Sequence, residues 1–343
     1  MNLFIHPPIA PGKTLNRFVS FARSIVFLGV VLAISFAFEC EAQTESASGT
    51  TQVNNEQARQ EQSLDQVAPV DPIRRRVLIV IGLSGDQENH DRFAKVSSGL
   101  QDWLTEFAGV KRNDMTVLQG SDAAGQVHLA ATQENIRRVT ERLTSEIGAD
   151  ESLWVFLIGH GSVDNRHGWF HLPGPDMNAQ QWASLFADVK ASEQVFWLTH
   201  SASGRFLKPF SLPGRVVITA TDDTEVNQTR FPDAFLQVVT NQSAEPGVTQ
   251  PSNALTLFLR VCDQVRRSFD ENNSVATEHA QLDDNGDGKG SEWNQLAGSA
   301  TDSAGSAAAA VVDGLRAAAV RFTPLPQQPK PDESEEADTE SSL

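Results

Sequence analysis

Uninterrupted apolar segments that alternate with helical patterns constrain the fold of this chain more than any other feature. Val77–Gly82 and Leu153–Ile158 contain neither a charged residue nor an alternation of polar and apolar side chains. Strands of this kind are buried on both faces, which is typical of a parallel sheet covered by helices. Between them, Asp91–Phe107 and Gln133–Ile147 repeat apolar residues at the spacing of an amphipathic helix.

The alternation continues to about residue 282. Further strands are predicted at Met115–Leu118, Val195–Leu198 and Arg215–Ala220, and further helices at Asn178–Val189, Phe231–Val239 and Asn253–Phe269. The pattern predicts one doubly wound α/β domain over residues 76–282, with a mainly parallel sheet and helices on both faces. Ligands of such sheets bind at the carboxyl ends of the strands, so functional residues are expected there.

The two ends of the chain differ in composition from a folded domain. Within residues 1–42, Lys13, Arg17 and Arg23 precede an uncharged apolar run from Ser24 to Phe38, which predicts a signal peptide and export to the periplasm or the extracellular space. If it is not cleaved, this segment would be the only contact with a membrane. Residues 43–75 predict a disordered linker. Residues 283–322 predict an Asp-rich loop and an Ala-rich C-terminal helix, and residues 323–343 a disordered, Pro-rich and acidic tail.

Charge and cysteine content exclude several classes of function. The net charge of -17 argues against binding nucleic acid or an anionic membrane surface. Cleavage after Ala42 would leave Cys262 as the only cysteine, and therefore no internal disulfide. Cys262 belongs to an apolar helical stripe, so we expect a core residue and not a nucleophile. The sequence specifies no oligomeric state.

Polar residues follow two successive buried strands. His160 stands between Gly159 and Gly161 directly after the strand at Leu153–Ile158, and Ser201 follows the strand at Val195–Leu198. Glycines allow the backbone of a substrate to come close, and the N–H of Gly161 can donate to an oxyanion.

The order of these motifs resembles that of caspase/legumain-like (clan CD) cysteine peptidases, in particular bacterial caspase-like domains. The resemblance covers most of residues 76–282 and includes Arg215–Thr221, Thr229-Arg230-Phe231 and Thr277-Glu278-His279-Ala280. No single motif is diagnostic, whereas their order and spacing together are fairly specific. The resemblance implies a caspase-like fold and a peptide or protein as ligand, with no cofactor.

The family's cysteine lies in a pattern like Asp-x-Cys-x-Ser-Gly, which aligns with this chain through Ser203-Gly204. The resemblance then implies His160 as the catalytic histidine, Ser201 at the cysteine position and Thr199 at the acidic position. Gly161 and the N–H of Ser201 would form the oxyanion hole.

Serine in place of cysteine changes the expected activity. A thiol is partly ionised near neutral pH, whereas a serine hydroxyl needs a hydrogen-bonded base that a third group orients. We therefore expect a pseudopeptidase that binds a peptide or protein in the cleft without cleaving it. The alternative is an active hydrolase that uses Ser201 with His160. His200 adjoins Ser201, but neighbouring residues of an extended segment point to opposite sides, so we expect it to be packed away.

One acidic segment resembles the first half of a calcium loop. Asp283, Asn285 and Asp287 occupy alternate positions, and Gly288 allows the sharp turn. The glutamate that completes such a loop would fall at position 294, which is Asn294. The segment is therefore either a polar turn or a weak calcium site, and a calcium-dependent binding module is a further alternative for the function.

Overall fold

The computed structural model describes residues 73–120, 129–240, 249–299 and 313–324, which build a mixed, mostly parallel sheet between two layers of helices. The strands of the sheet are β1 (Arg75–Ile81), β2 (Met115–Gln119), β3 (Leu129–Ala130), β4 (Ser152–Ile158), β8 (Glu193–Leu198), β9 (Arg215–Thr219), β10 (Gln281–Asp283) and β11 (Ser291–Glu292). These eight strands lie in the order β11-β10-β9-β8-β4-β1-β2-β3. The predicted signal peptide and most of the predicted linker and acidic tail lie outside the described residues.

Burial explains why the central strands pair in parallel. Every residue of β4 is buried, as are the last five residues of β1, so neither strand presents a polar face to water. The strands β1, β2, β3, β4, β8 and β9 pair in parallel, while β10 and β11 add an antiparallel edge. The prediction of a doubly wound, mainly parallel α/β sheet is confirmed.

The helices divide between the two faces of the sheet. They are α1 (Gln87–Glu106), α2 (Gln133–Glu146), α3 (Ala179–Ser184), α4 (Gly204–Phe210), α5 (Phe231–Thr240), α6 (Ala254–Glu271), α7 (Trp293–Ser299) and α8 (Leu315–Ala319). Val77 and Ile79 of β1 join a core built with α1, α5 and α6, whereas Leu78 and Val80 join a core built with α2, α3 and α4. None of the helices in the described part of the chain combines the length and apolar character that crossing a membrane requires.

Two helix boundaries differ from the predicted ones for reasons visible in the hydrogen bonds. Asp86 caps α1 by accepting from the backbone N–H of Asn89, so the helix begins ahead of its first apolar residue. The third helix was predicted to extend to Val189, but α3 ends at Ser184. Beyond that residue the backbone continues in tighter turns with bonds between residues three apart, as from Leu185 N–H to the carbonyl of Trp182.

The structure also contains elements that the apolar pattern did not predict. Three short strands form a separate antiparallel sheet: β5 (Gly161–Val163), β6 (Gly168–Phe170) and β7 (Met177–Asn178). The strands β10 and β11 continue the main sheet, so the folded domain extends past the predicted boundary at residue 282. Arg321 pairs with Asn253 at the start of α6, which ties the C-terminal segment to the same domain. Of the predicted Ala-rich helix, residues 313–321 are described, and α8 covers five of them.

Candidate functional site

His160 lies in the short turn between β4 and β5. Its imidazole is half-buried and packs against Phe93 of α1, with 5.2 Å between the ring centroids. Nε2 lies 3.1 Å from the carbonyl oxygen of Ser84. Because a carbonyl only accepts, Nε2 carries the proton and Nδ1 is the nitrogen left for chemistry. Burial lowers the pKa of His160, and the bond to Ser84 opposes that shift.

Ser201 lies in the turn between β8 and α4, and buried hydrogen bonds hold the backbone of this turn. The hydroxyl of Thr199 donates to the carbonyl of Leu157 at 2.9 Å, and the hydroxyl of Thr229 donates to the carbonyl of Thr199 at 2.7 Å. The hydroxyl oxygen of Ser203 accepts from two backbone N–H groups of the turn after β9, at 3.0 and 3.2 Å. The turn is therefore anchored to both neighbouring strands.

Sheet pairing brings the two turns together. Leu157 of β4 lies opposite Leu198 of β8, and the N–H of Thr199 donates to the carbonyl of Leu157 at 2.9 Å, so the two turns leave the sheet from adjacent strands. A Cβ added to Gly161 would lie 2.3 Å from the carbonyl oxygen of Ser201. The residues that the sequence selected as histidine, nucleophile position and oxyanion donor therefore lie in adjacent turns at the carboxyl end of the sheet.

The contacts needed to activate a serine are missing from the described residues. Among these residues, Ser201 Oγ makes no hydrogen bond with His160. The imidazole of His160 is instead bound to a backbone carbonyl, that of Ser84, and not to a carboxylate. Thr199, at the acidic position of the motif, has its hydroxyl bound to Leu157. The hydrogen bond from His160 to the carbonyl of Ser84 was not predicted, because a sequence does not show which backbone oxygen a side chain contacts.

His200 is packed into the interior of the domain. It is completely buried between Phe170 and Phe206, at 4.9 and 4.5 Å between ring centroids, and its Nδ1 donates to the carbonyl of Ser201 at 2.8 Å. Burial lowers the pKa of His200 to about 3, so the ring is neutral. This agrees with the expectation that His200 is a packed residue and not a base.

Cys262 lies at the edge of the helical stripe and not within it. Phe258 and Val261 of the same face are buried, whereas Cys262 is half-buried and lines a cavity of about 230 Å³ with Phe269 and Trp293. Burial of the thiol raises the pKa of Cys262, which disfavours the thiolate. Although only half-buried, Cys262 packs against the core, and its raised pKa agrees with the expectation that it is not a nucleophile.

The Asp-rich segment is a tight turn stabilised by its own carboxylate. Asp283 ends β10, and its two carboxylate oxygens accept from the N–H groups of Gly286 and Gly288, each at 2.9 Å. Asn285 and Asp287 accept in the same way from backbone N–H groups two residues further on. These bonds order the turn, and calcium binding there stays a prediction.

A buried carboxylate near the site was not found from the sequence as a functional residue. Glu278 accepts from the N–H groups of Arg230 and Phe231, at 2.7 and 2.9 Å, and so holds the start of α5. Burial raises the pKa of Glu278 to about 7.

The adjacent His279 forms a cluster with Asp222 and Glu225. Among the described residues this is the one group of three such side chains whose possible ligand atoms all lie within 4.8 Å of one another.

Comparisons with known proteins found weak likenesses to two solved structures. No family model matches the sequence, and no curated protein matches it. The crystal structure of drICE is 14% identical, with 57% of this chain and 84% of that chain covered and a TM-score of 0.35. A secreted C11 cysteine protease from Bacteroides thetaiotaomicron, named iotapain, is 11% identical, with 67% and 69% covered and a TM-score of 0.34. Likenesses this weak assign no activity to the present chain.

Proposed function

We propose that this chain is an exported caspase/legumain-like pseudopeptidase, which binds a peptide or protein segment at the His160–Ser201 turns and does not hydrolyse it. The observation that carries the proposal is the state of the two key groups. His160 donates to the carbonyl of Ser84, and within the described residues Ser201 Oγ has no hydrogen bond to the imidazole. The weak likenesses to drICE and to the C11 protease are not needed for this inference.

The chemistry of a serine nucleophile explains the loss of activity. Attack by a hydroxyl needs a base in direct hydrogen-bond contact, and that base needs an orienting group that stabilises the imidazolium as it forms. A neutral carbonyl orients the ring of His160, but it stabilises a positive charge far less than a carboxylate does. A thiol at position 201 would avoid the requirement, because it reacts as a preformed thiolate.

Retained backbone geometry supports binding. Gly161 lets the His160 turn pack directly against the Ser201 turn, and the turn at Ser201 is held by buried hydrogen bonds on both sides. A site kept rigid in this way binds an extended segment with little loss of entropy. Export through residues 1–42 is part of the proposal and would make the ligand a periplasmic or extracellular one.

Restoring the thiol tests the proposal most directly. We would compare the full chain with Ser201→Cys and Ser201→Cys/His160→Ala, each carrying Cys262→Ser, in peptide hydrolysis and in alkylation with iodoacetamide near pH 7. Ser184→Cys on the exposed side of α3 is the matched control for an ordinary thiol. We expect no hydrolysis by the native chain. The thiol introduced at position 201 should be alkylated about 10-fold faster than the one introduced at position 184 because its pKa is lowered, and His160→Ala should abolish that difference.

The alternative function gives a different result in the same experiment. Hydrolysis by the native chain that disappears in both Ser201→Ala and His160→Ala would establish a serine hydrolase. That outcome would overturn the pseudopeptidase proposal. Alkylation of the Ser201→Cys variant no faster than that of the Ser184→Cys variant would contradict the inference that His160 still faces position 201.

A further inference from the structure

A basic cavity lies beside the Ser201 turn but contains neither Ser201 nor His160. It has a volume of about 470 Å³ and opens between α3, α4 and the start of β6. Its lining includes the side chains of Arg166, Arg205 and Lys208, with Gln180 and one acidic residue, Asp223. We call this the basic cavity.

Among the described residues, the cations of the basic cavity have no carboxylate partner, unlike several other arginines of the domain. Arg74, Arg76, Arg92 and Arg266 each form an ion pair. The three cations of the cavity are exposed and form no ion pair with any described residue. Lys95, Lys111 and Lys190 are likewise exposed without an ion pair to any described residue, so what distinguishes the three cations is that they line one cavity. Three unpaired cations at one concave surface indicate a site for an anionic ligand.

The walls of the cavity are set by backbone and core packing. A Cβ added to Gly168 would lie 2.5 Å from Cβ of Arg205, and one added to Gly204 would lie 2.1 Å from the backbone carbon of Asp222. The two glycines therefore allow α4 and its Arg205 to approach β6 and the turn after β9. These close approaches fix the position of α4, so the backbone walls of the cavity exist before a ligand binds.

We propose that the basic cavity binds the acidic C-terminal segment of this same chain, residues 332–340. This segment contains six carboxylates: Asp332, Glu333, Glu335, Glu336, Asp338 and Glu340. Its charge is complementary to that of the cavity. The strongly negative chain repels a separate acidic peptide, whereas a tethered segment is held at a high effective concentration. This inference goes beyond the proposed function, because it concerns a second site.

The length of the tether is sufficient. The carbonyl of Arg321 accepts from Arg75 at the start of β1, so the described chain ends near the amino end of the parallel strands. The basic cavity lies beside turns at the carboxyl end of these strands. A strand of seven residues is about 23 Å long, so the two ends of the sheet are about that far apart. Extended chain spans about 3.4 Å per residue, so residues 325–340 reach about 50 Å from Pro324.

The test uses a labelled peptide with the sequence of residues 325–343 and fluorescence anisotropy. One protein is the native full chain; a second, the tail-neutralised chain, carries D332N, E333Q, E335Q, E336Q, D338N and E340Q. A third adds R166Q, R205Q and K208Q to the second. The matched control adds K95Q, K111Q and K190Q instead, which removes the same charge from exposed positions elsewhere on the domain.

The tail-neutralised chain should bind the peptide, and the native chain should bind it at least about 10-fold more weakly because its own tail competes. The cavity variant should lose about 10-fold or more in affinity, and the control should change by less than about 2-fold. Raising the salt concentration to about 0.5 M should weaken binding, because it screens charges.

Several results would overturn the proposal. These are no binding to the tail-neutralised chain, equal binding by that chain and the native one, or equal losses in the cavity and control variants. Displacement of the peptide by an equal concentration of inorganic phosphate would identify a small-anion site and would likewise reject the tail as occupant. The melting temperature of each variant shows whether the domain is still folded.

Discussion

The turn that carries His160 and the turn that carries Ser201 are neighbours, yet they are built in opposite ways. In the first, the side chain is positioned: the ring of His160 packs against Phe93 and donates to the carbonyl of Ser84. In the second, the backbone is held on both sides by buried hydroxyls, while the hydroxyl of Ser201 has no hydrogen-bond partner among the described residues.

This difference shows that the shape of a site and its reactivity depend on different parts of the structure. A backbone that accepts and donates buried hydrogen bonds persists whatever the side chain at position 201 is, because buried polar groups left unpaired are costly. Reactivity depends on one atom and its contacts. A turn of this kind with a serine can therefore keep its form as a binding surface, which is the basis of the proposed function.

The largest expected effect concerns how the two histidines, His160 and His200, change the pH dependence of folding stability. His200 has its pKa lowered to about 3 by burial, so it is neutral in the folded state but charges in the unfolded state below pH 6.5. Its contribution to stability is present above pH 6.5 and is lost as the pH falls toward 3, by on the order of 5 kcal/mol. His200→Gln should flatten the pH dependence of the urea midpoint between pH 7 and 4.

His160→Gln is the comparison for that prediction. Its ring is half-buried and its pKa is lowered less by its environment, so the variant should change the slope only slightly. Equal changes of slope in the two variants would contradict the distinction between a packed and a positioned histidine.

Crowding between the two turns gives the next effect. Gly161→Ala places a methyl group 2.3 Å from the carbonyl oxygen of Ser201, so the turns must separate. We expect a loss of about 3 kcal/mol in the free energy of unfolding, measured by urea denaturation. Gly174→Ala is the control, because its Cβ meets nothing within 4 Å and only the positive φ of 87° costs energy, about 1 kcal/mol. A larger loss for the control would show that the turns do not pack closely.

The smallest effect tests the anchoring of the Ser201 turn. Thr229→Val removes the bond from the hydroxyl to the carbonyl of Thr199 and keeps the shape of the side chain. The free energy of unfolding should fall by about 1 kcal/mol. Thr240→Val, whose hydroxyl bonds a carbonyl within its own helix, should change it by less than about 0.5 kcal/mol. Equal values for the two variants would mean that the turn is held by its packing alone.

Strong periodicity made the sheet and its main helices predictable. From Val77 in β1 and from Leu153 in β4 the strands are apolar without interruption. Apolar residues of α1 and α2 recur on one helical face, so burial and secondary structure follow from local pattern. The short strands β5–β7 and the helix α4 have too few residues for a period. The strands β5–β7 pair only with one another, as Val163 does with Gly168, so their hydrogen bonds and not an apolar pattern define them.

The sequence by itself determined the α/β class, the two turns at the strand ends and the identity of the residue at position 201, because each depends on local pattern or composition. The tertiary structure decided which groups those residues meet. The carbonyl of Ser84, the hydroxyl of Thr229 and the cations of the basic cavity come from segments separated along the chain. Only the order of strands in the sheet and the packing of helices on it bring such groups within hydrogen-bond or charge distance.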